Sequence, residues 1–197
     1  MYDLATDVIA TMEHDNLGRL TKGKADIAIF AYDALGRRIW KRDSIADANN
    51  VYYYNDQWQV LVDFNDSDVE QQRFVYGNYI DEPILMVANG VEYQYLYDHL
   101  YNIVALTNST GTPYERYEYD AYGNCQIMDA DFSVLSVLSV SSVANSYLFT
   151  GRRVDILNGG SLKLQYNRNR YYDQYTGRWL THDPKMCRTP PRKETNQ

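Results

Sequence analysis

The stretch VEYQYLYD, from Val91 to Asp98, alternates aromatic and other residues at every second position. Successive side chains of a β-strand point to opposite faces, so one face of this stretch would carry three tyrosines, Tyr93, Tyr95 and Tyr97. The stretch ERYEYD, which ends at Asp120, repeats the alternation. Period-two alternation that runs into a turn residue predicts a β-hairpin, and the pattern therefore predicts strands rather than helices.

A turn motif follows these strands and recurs along the chain. In the copy from Asp33 to Gly36, aspartate stands first of four residues and glycine fourth. An aspartate side chain at the first position of a type I turn can bond to the turn's backbone, and a glycine at the fourth accepts the positive φ of the bulge that joins two twisted strands. The predicted motif residues are Asp15, Gly18, Asp33, Gly36, Asp98, Asp120 and Gly123.

The copies recur at the length of one hairpin with its connection. Asp15 and Asp33 are 18 residues apart, and Asp98 and Asp120 are 22 apart. Asp56 predicts a degenerate copy between them. In the Asp98 copy a tyrosine, Tyr101, replaces the glycine, which predicts a weakened or shifted turn. Self-similarity at a fixed period indicates a repeat architecture in which each unit packs on its neighbours.

The composition favours an all-β chain and excludes several classes of function. The 197 residues include 20 tyrosines but only 5 phenylalanines and 3 tryptophans, and tyrosine favours strands. The net charge of −7 makes a nucleic-acid partner improbable. Two separated cysteines and three isolated histidines predict neither a disulfide framework nor a metal site, and nothing indicates a cofactor. The best helical candidate, Leu4 to His14, is weak.

Membrane and export signals are also missing from the sequence pattern. The first ten residues lack a basic segment followed by a long apolar run, so no signal peptide is predicted. The longest weakly polar run, FSVLSVLSVSSV from Phe132 to Val143, is too short and too rich in serine to span a bilayer. We therefore expect no membrane span.

Several segments together resemble one known family. They are the Tyr-Asp turn units, RFVYGNYIDEPI (73–84), YLFTGRRVD (147–155) and NRYYDQYTGRWLTHDP (169–184). The chain resembles the RHS/YD-repeat proteins, which include polymorphic toxins, the C subunits of insecticidal toxin complexes and teneurins, and its last two segments resemble the RHS-associated core that closes a repeat array. The resemblance implies successive antiparallel hairpins in a β-strip that spirals into a hollow shell around a C-terminal effector, with the core as a plug.

The resemblance also implies boundaries and partners. We expect a YD-repeat β-strip over 1–131, a variable Ser/Val/Leu loop over 132–146, the core segment over 147–184 and a disordered polar tail over 185–197. About half a dozen units are too few to close a shell, which predicts a fragment that adjoins upstream repeats and a C-terminal effector. The family implies a secreted or cell-surface location, and an extracellular protein or glycan is a further expected partner.

The core plug is expected to contain most of the chemistry. Its residues are Gly151, Arg152, Arg153, Arg170, Tyr171, Tyr172, Asp173, Gly177, Arg178, Trp179, Asp183 and Pro184. Some relatives release the effector by an aspartyl-type cut, which makes Asp173 and Asp183 candidate catalytic carboxylates with Arg170 as a polarising cation. The structural interpretation, that Asp173 caps a turn and Asp183 anchors a bend, is favoured, because the DPxGL-like cleavage site of relatives is missing after Pro184.

A third interpretation is glycan or protein binding by the rows of tyrosines. Rings exposed on a strand face could stack on sugars, whereas rings packed between neighbouring parts of a β wall could not. The same period-two spacing serves both arrangements. The sequence therefore favours a structural shell segment as the function, with self-cleavage and surface binding as alternatives.

Overall fold

The computed structural model of the chain describes residues 13–15, 19–22, 27–135, 145–160 and 162–183. These residues form two antiparallel sheets, with no α-helix among them. The predicted all-β fold class is thereby confirmed. Of the weak helical candidate, only Glu13 and His14 are described, and they are in a strand. Gly18, Pro184, the tail 185–197 and most of the Ser/Val/Leu loop (136–144) lie outside the described residues.

The larger sheet has twelve strands that pair in sequence order. They are β1 (Glu13–His14), β2 (Leu20–Lys22), β3 (Ala28–Tyr32), β4 (Arg38–Asp43), β5 (Ala48–Tyr54), β6 (Val60–Phe64), β7 (Glu70–Tyr76), β8 (Pro83–Ala88), β9 (Val91–Tyr97), β10 (Ile103–Thr107), β11 (Pro113–Tyr119) and β12 (Cys125–Asp129). Strands adjacent in sequence are adjacent in space, so the predicted succession of antiparallel hairpins is confirmed.

The smaller sheet is formed by the C-terminal part of the chain. Its four strands also pair in sequence order: β13 (Arg153–Leu157), β14 (Leu162–Asn167), β15 (Arg170–Asp173) and β16 (Arg178–Trp179). Short 3-10 turns at Phe149–Gly151 and Asn158–Gly160 precede and follow β13. The chain therefore stops adding strands to the large sheet after β12 and begins a second sheet.

The described turn residues lie at the same end of the strands of the large sheet, in the connections between β1 and β2, β3 and β4, β9 and β10, and β11 and β12. The Asp33 carboxylate accepts hydrogen bonds from the backbone N–H groups of Leu35 and Arg37 at 3.0 and 2.8 Å. Gly36 has a φ of +90° and donates its N–H to the Asp33 carbonyl. Asp98 and Asp120 accept equivalent backbone bonds.

Two expectations about individual turns are corrected by the structure. The degenerate copy is built on Asn55 rather than on Asp56, because the Asn55 side chain accepts the backbone bonds of Gln57 and Gln59. The turn at Asp98 is not shifted, because Tyr101 itself adopts a φ of +63° and donates its N–H to the Asp98 carbonyl. A tyrosine there takes the left-handed conformation that glycine would adopt without strain.

In four of the described hairpins, the tyrosine before the turn joins that hairpin to its neighbour. Its hydroxyl donates a hydrogen bond to the carbonyl of the first residue in the preceding strand. The pairs are Tyr32 with Leu20, Tyr54 with Arg38, Tyr76 with Val60 and Tyr119 with Ile103, at 2.6–3.0 Å. In Tyr32-Asp33 and Tyr119-Asp120, the aspartate therefore closes one hairpin and the tyrosine bonds that hairpin to the one before it.

We expect these hydroxyl bonds to contribute measurably to stability. Tyr119→Phe removes one bond and should lower the free energy of unfolding by about 1 kcal/mol. Tyr97 occupies the equivalent position, but its hydroxyl has no hydrogen-bond partner in the described part of the chain. Tyr97→Phe should therefore change the free energy by less than about 0.5 kcal/mol. Urea unfolding of both variants measures the difference, and equal losses would contradict the assigned role.

The two sheets pack face to face around an apolar core. Its first part joins Tyr147, Leu148 and Val154 to the large sheet from β5 to β12. Its second part joins Leu157, Leu162, Leu164, Tyr166 and Tyr171 to β2, β3 and Ile27. Tyr93 and Tyr95 of β9 and Tyr117 of β11 face this core. Tyr93, Tyr95 and Tyr117 are only 6, 5 and 3% exposed, so these rings are not available to stack on a glycan.

Candidate functional site at the interface of the two sheets

A fully buried ion pair links the two sheets. Arg38 of β4 is 0% exposed and Asp155 of β13 is 1% exposed, and the guanidinium contacts the carboxylate through both terminal nitrogens. Arg38 also donates to the Tyr171 hydroxyl at 2.7 Å. Lys41 makes a second, longer ion pair with Asp155 at 3.3 Å. A carboxylate between two cations is thus the electrostatic centre of the interface.

Aromatic rings complete the surroundings of Arg38. Its guanidinium carbon lies 4.3–5.9 Å from the ring centres of Phe30, Tyr52, Tyr166 and Tyr171. Burial raises the pKa of the Asp155 carboxyl, but Arg38 and Lys41 outweigh burial and hold that pKa below its usual value. Asp155 therefore stays ionised inside the protein, because its cationic partners are buried with it.

A second ion pair crosses the interface about two strands away. Arg153 of β13 donates to the Asp63 carboxylate of β6 at 3.1 Å, and its guanidinium packs over the rings of Tyr52, Phe74 and Tyr147. At Asp63, the effect of burial on the pKa exceeds the effect of the neighbouring cation, the reverse of the situation at Asp155. Burial raises the pKa of Asp63 by more than Arg153 lowers it. The two interface carboxylates therefore differ in their tendency to hold a proton.

A third contact joins the turn before β13 to the loop between β7 and β8. Arg152 and Arg168 both bond to the Asp81 carboxylate, at 2.8 and 2.5 Å. Gly151, with a φ of +65°, approaches the Asp81 carbonyl so closely that a Cβ atom there would lie well inside van der Waals contact. The segment FTGRR (149–153) is thus held against the segment YIDEP (79–83) by the ion pair of Arg152 with Asp81 and by the close backbone contact at Gly151.

The three candidate catalytic residues lie in or beside the small sheet. Asp173, at the end of β15, is 2% exposed and accepts hydrogen bonds from the Tyr175 N–H at 3.0 Å and the Thr176 hydroxyl at 2.5 Å. Asp183 pairs with Arg170 at 3.4 Å. The guanidinium of Arg170 also lies 4.0 Å from the Trp179 ring centre. The Asp173 carboxylate is thus bonded within its own turn, whereas the Asp183 carboxylate pairs with Arg170.

The other residues predicted for the core plug lie in or beside the small sheet. Gly177 has a φ of +66°, and a Cβ atom on it would meet the ring of Tyr122 at 2.7 Å. Tyr172 donates its hydroxyl to the Tyr122 carbonyl at 3.0 Å. Tyr171 is buried in the second part of the apolar core, whereas Arg178 lies exposed in β16. The turn at Gly177 therefore packs on the turn that contains Gly123.

Other classes of site are missing from the described residues. Within the ranges that the structure describes, no group of His, Cys, Asp and Glu has the arrangement of a metal site. The same ranges contain no helix long and apolar enough to cross a bilayer. Cys125 is buried, and burial raises the pKa of its thiol to about 12, which makes it unreactive at neutral pH.

Several of the charged residues at the interface of the two sheets were not predicted from the sequence. Arg152 and Arg153 were singled out, but their partners Asp63 and Asp81, and the whole Arg38–Asp155 pair, were not. One usable signal was present: Arg153 and Asp155 alternate with Val154 and Ile156 in β13, a strand whose residues are buried on both faces. A charged residue in such a strand needs a buried partner.

Comparisons with known proteins agree with this architecture. The family model of the teneurin YD-shell matches residues 6–196. The chain is 29% identical over 172 residues to the tRNA3(Ser)-specific nuclease WapA of Bacillus spizizenii and 30% identical to the tRNA nuclease WapA of Bacillus subtilis strain 168. These matches cover 86% of this chain but 7% of each relative, so the chain spans less than a tenth of their length.

Solved structures share the fold at lower identity. The Tc holotoxin pore of Photorhabdus luminescens superposes with a TM-score of 0.63 at 16% identity, covering 88% of this chain and 9% of that one. The TcdB2-TccC3 structure gives a TM-score of 0.61 at 15% identity with the same coverage. The family match over nearly the whole chain, with the two-sheet architecture, leads to one conclusion: the chain belongs to the teneurin YD-shell family.

Proposed function

We propose that this chain is a wall segment of a YD shell together with the plug that ends the repeat array. One observation carries the proposal. After β12 the chain stops extending the large sheet and folds back onto its tyrosine face, where it is held by three sets of ionic contacts. A row of hairpins extends a wall, whereas a sheet fixed across its face closes that row. The role is therefore structural.

The proposed divisions follow from this role. The strip over 1–131 supplies the wall, 132–146 is a connection, 147–184 is the plug and 185–197 is a tail. The wall would adjoin upstream repeats, and the plug would precede a C-terminal effector on a longer chain. The WapA relatives are named as nucleases, and this chain matches only 7% of their length, which is consistent with an activity located elsewhere on those chains.

Self-cleavage by the plug is a second candidate function. The ion pair between Arg170 and Asp183 supports it, because Arg170 lies in β15, the strand that ends at Asp173. The bonds that Asp173 receives from its own turn favour a structural role instead, because they already satisfy both carboxylate oxygens. The two candidate functions require different behaviour from the intact protein.

A chimera tests both. Residues 1–197 would replace the matching segment of TccC3 in the TcdB2-TccC3 complex, where this chain corresponds to about 9% of the structure. A solved structure of TcdB2-TccC3 lacks the hypervariable C-terminal region, so a version without that region provides a comparison for the chimera. We expect the chimera to assemble, with the segment in the wall by electron microscopy, and the hypervariable region to resist added protease as in the parent.

The matching segment of WapA provides the control chimera. If that segment assembles and this chain does not, the wall assignment is wrong. Intact mass reports self-cleavage in the same sample. A chimera that loses mass, and that stays at full length when Asp173→Asn and Asp183→Asn are introduced together, would assign the plug a catalytic role. Full-length masses for both proteins leave the role of the plug structural.

A further inference from the structure

A polar cavity of about 260 Å³ lies between the two sheets. Its walls come from β4 to β8 on one side and from residues 145–156 on the other. The side chains that matter here are Lys41, Tyr52, Asp63, Ser146, Arg153 and Asp155. At its rim lie Gln71 and Asn89, both exposed, so the cavity reaches solvent. This space is separate from the candidate catalytic residues of the small sheet.

Four groups that line the cavity have polar atoms without a hydrogen-bond partner in the described part of the chain. They are the Tyr52 hydroxyl, the Asp63 Oδ1 atom, the Arg153 Nε and Nη2 atoms and the Ser146 hydroxyl. The Arg153 and Asp63 side chains are only 6 and 3% exposed. Buried polar groups in proteins are almost always bonded, so unpaired atoms grouped around one space indicate a place for a hydrogen-bonding ligand.

The charges of the lining select the kind of ligand. Lys41 and Arg153 are balanced by Asp63 and Asp155. An anion would be repelled by the two carboxylates, and a cation by the ammonium and guanidinium groups. The unpaired atoms include donors on Arg153 and an acceptor on Asp63, and a ligand hydroxyl can accept from one and donate to the other. An uncharged ligand with several hydroxyl groups matches this pattern.

The size of the cavity limits the ligand further. A cavity of ~150 Å³ holds benzene, which has six heavy atoms, so about 260 Å³ suits roughly ten to twelve. It lies just below the ~300–1,000 Å³ of pockets for drug-sized ligands. The Tyr52 ring packs against the guanidinium groups of Arg38 and Arg153, 5.1 and 4.7 Å from its centre, which holds its hydroxyl in place.

We propose that this cavity binds a small uncharged polyhydroxy compound of the size of a hexose or hexitol, held by Tyr52, Asp63, Ser146 and Arg153. The site is distinct from glycan stacking on exposed tyrosines, because the ligand would lie inside the interface. It does not depend on the shell role, since every lining residue belongs to this chain.

Binding of glucose and sorbitol to the 197-residue protein tests the proposal, with gluconate and glucosamine as charged counterparts. Saturation-transfer NMR should show saturable binding of at least one neutral compound and weaker binding of its charged counterpart. Tyr52→Phe removes one hydroxyl and should weaken that binding about two- to tenfold. The matched control is Tyr53→Phe, because Tyr53 lies on the opposite face and is 54% exposed.

Three results would overturn the proposal. They are the absence of saturable binding of both neutral compounds at millimolar concentration, binding of the charged compounds at equal strength, and equal affinity in the Tyr52→Phe and Tyr53→Phe proteins. Circular dichroism of each variant checks that the fold is intact, so that lost binding reports on the lost hydroxyl. Ser146→Ala provides an independent second variant, with the same expected direction.

Discussion

Replacing Asp155 with alanine should lower the free energy of unfolding by about 3–5 kcal/mol, the usual cost of removing one partner from a buried ion pair. The reason is the guanidinium that remains. Arg38 is fully buried and would keep its charge without its carboxylate. Lys41 would lose the same partner. Urea unfolding followed by tryptophan fluorescence measures the change, with the slope checked for two-state behaviour.

The matched control is Asp47→Ala. Asp47 pairs with Arg42 at 3.2 Å, but the two side chains are 86 and 43% exposed, so its removal should cost no more than about 1 kcal/mol. Changing Arg38 to Met and Asp155 to Leu together should recover much of the loss, because an apolar pair leaves no unpaired guanidinium in the interface. Equal losses in the Asp155 and Asp47 variants would refute the assigned role of the pair.

The same carboxylate predicts a pH dependence. The pKa of Asp155 in the folded protein lies below the 3.8 of an unperturbed aspartate. Its stabilising contribution is therefore complete above a pH of about 4 and is lost as the pH falls through the lower, folded value. The stability difference between the parent and Asp155→Ala proteins should narrow in that acid range and stay constant above it.

Gly151→Ala should cost about 2–5 kcal/mol, and the loss should appear first in the docking of the small sheet. A left-handed backbone costs a residue with a Cβ atom about 1–2 kcal/mol. Forcing an extra carbon into a packed contact adds about 1–3 kcal/mol. The carbon would meet the Asp81 carbonyl, a backbone atom that cannot rotate away. Unfolding by urea gives the total cost.

Gly111→Ala separates the two contributions. Gly111 has a φ of +81° but no atom within 4 Å of an added Cβ, so it should lose only the backbone part. Hydrogen exchange locates the effect: the Gly151 variant should lose protection in β13 to β15, whereas the Gly111 variant should lose it only near its own turn. If the free energy of unfolding falls by the same amount in both variants, the close contact at Asp81 makes no contribution to it.

Local chemistry made the hairpins predictable. Period-two tyrosines and the Asp-x-x-Gly turn act over a few residues, and the bonds from Asp33 to Leu35 and Arg37 span at most four positions. The same rule applied to asparagine would have found the turns at Asn55, Asn65 and Asn108, whose side chains accept equivalent backbone bonds. These three turns were not predicted because the turn motif was defined with aspartate at its first position, although the side-chain oxygen of asparagine accepts the same bonds.

The sequence alone thus determined the all-β class and the hairpin order, because these depend on short-range backbone geometry that residue types specify, and its turn and core motifs carried the resemblance to the family. Only the tertiary structure decided how the small sheet packs on the large sheet. Arg38 and Asp155 are 117 positions apart, and Asp63 and Arg153 are 90 apart. The identity of a charged residue does not specify whether its side chain is exposed to solvent or paired inside the protein. Its role is set by which side chains the packing of the two sheets brings within hydrogen-bond distance.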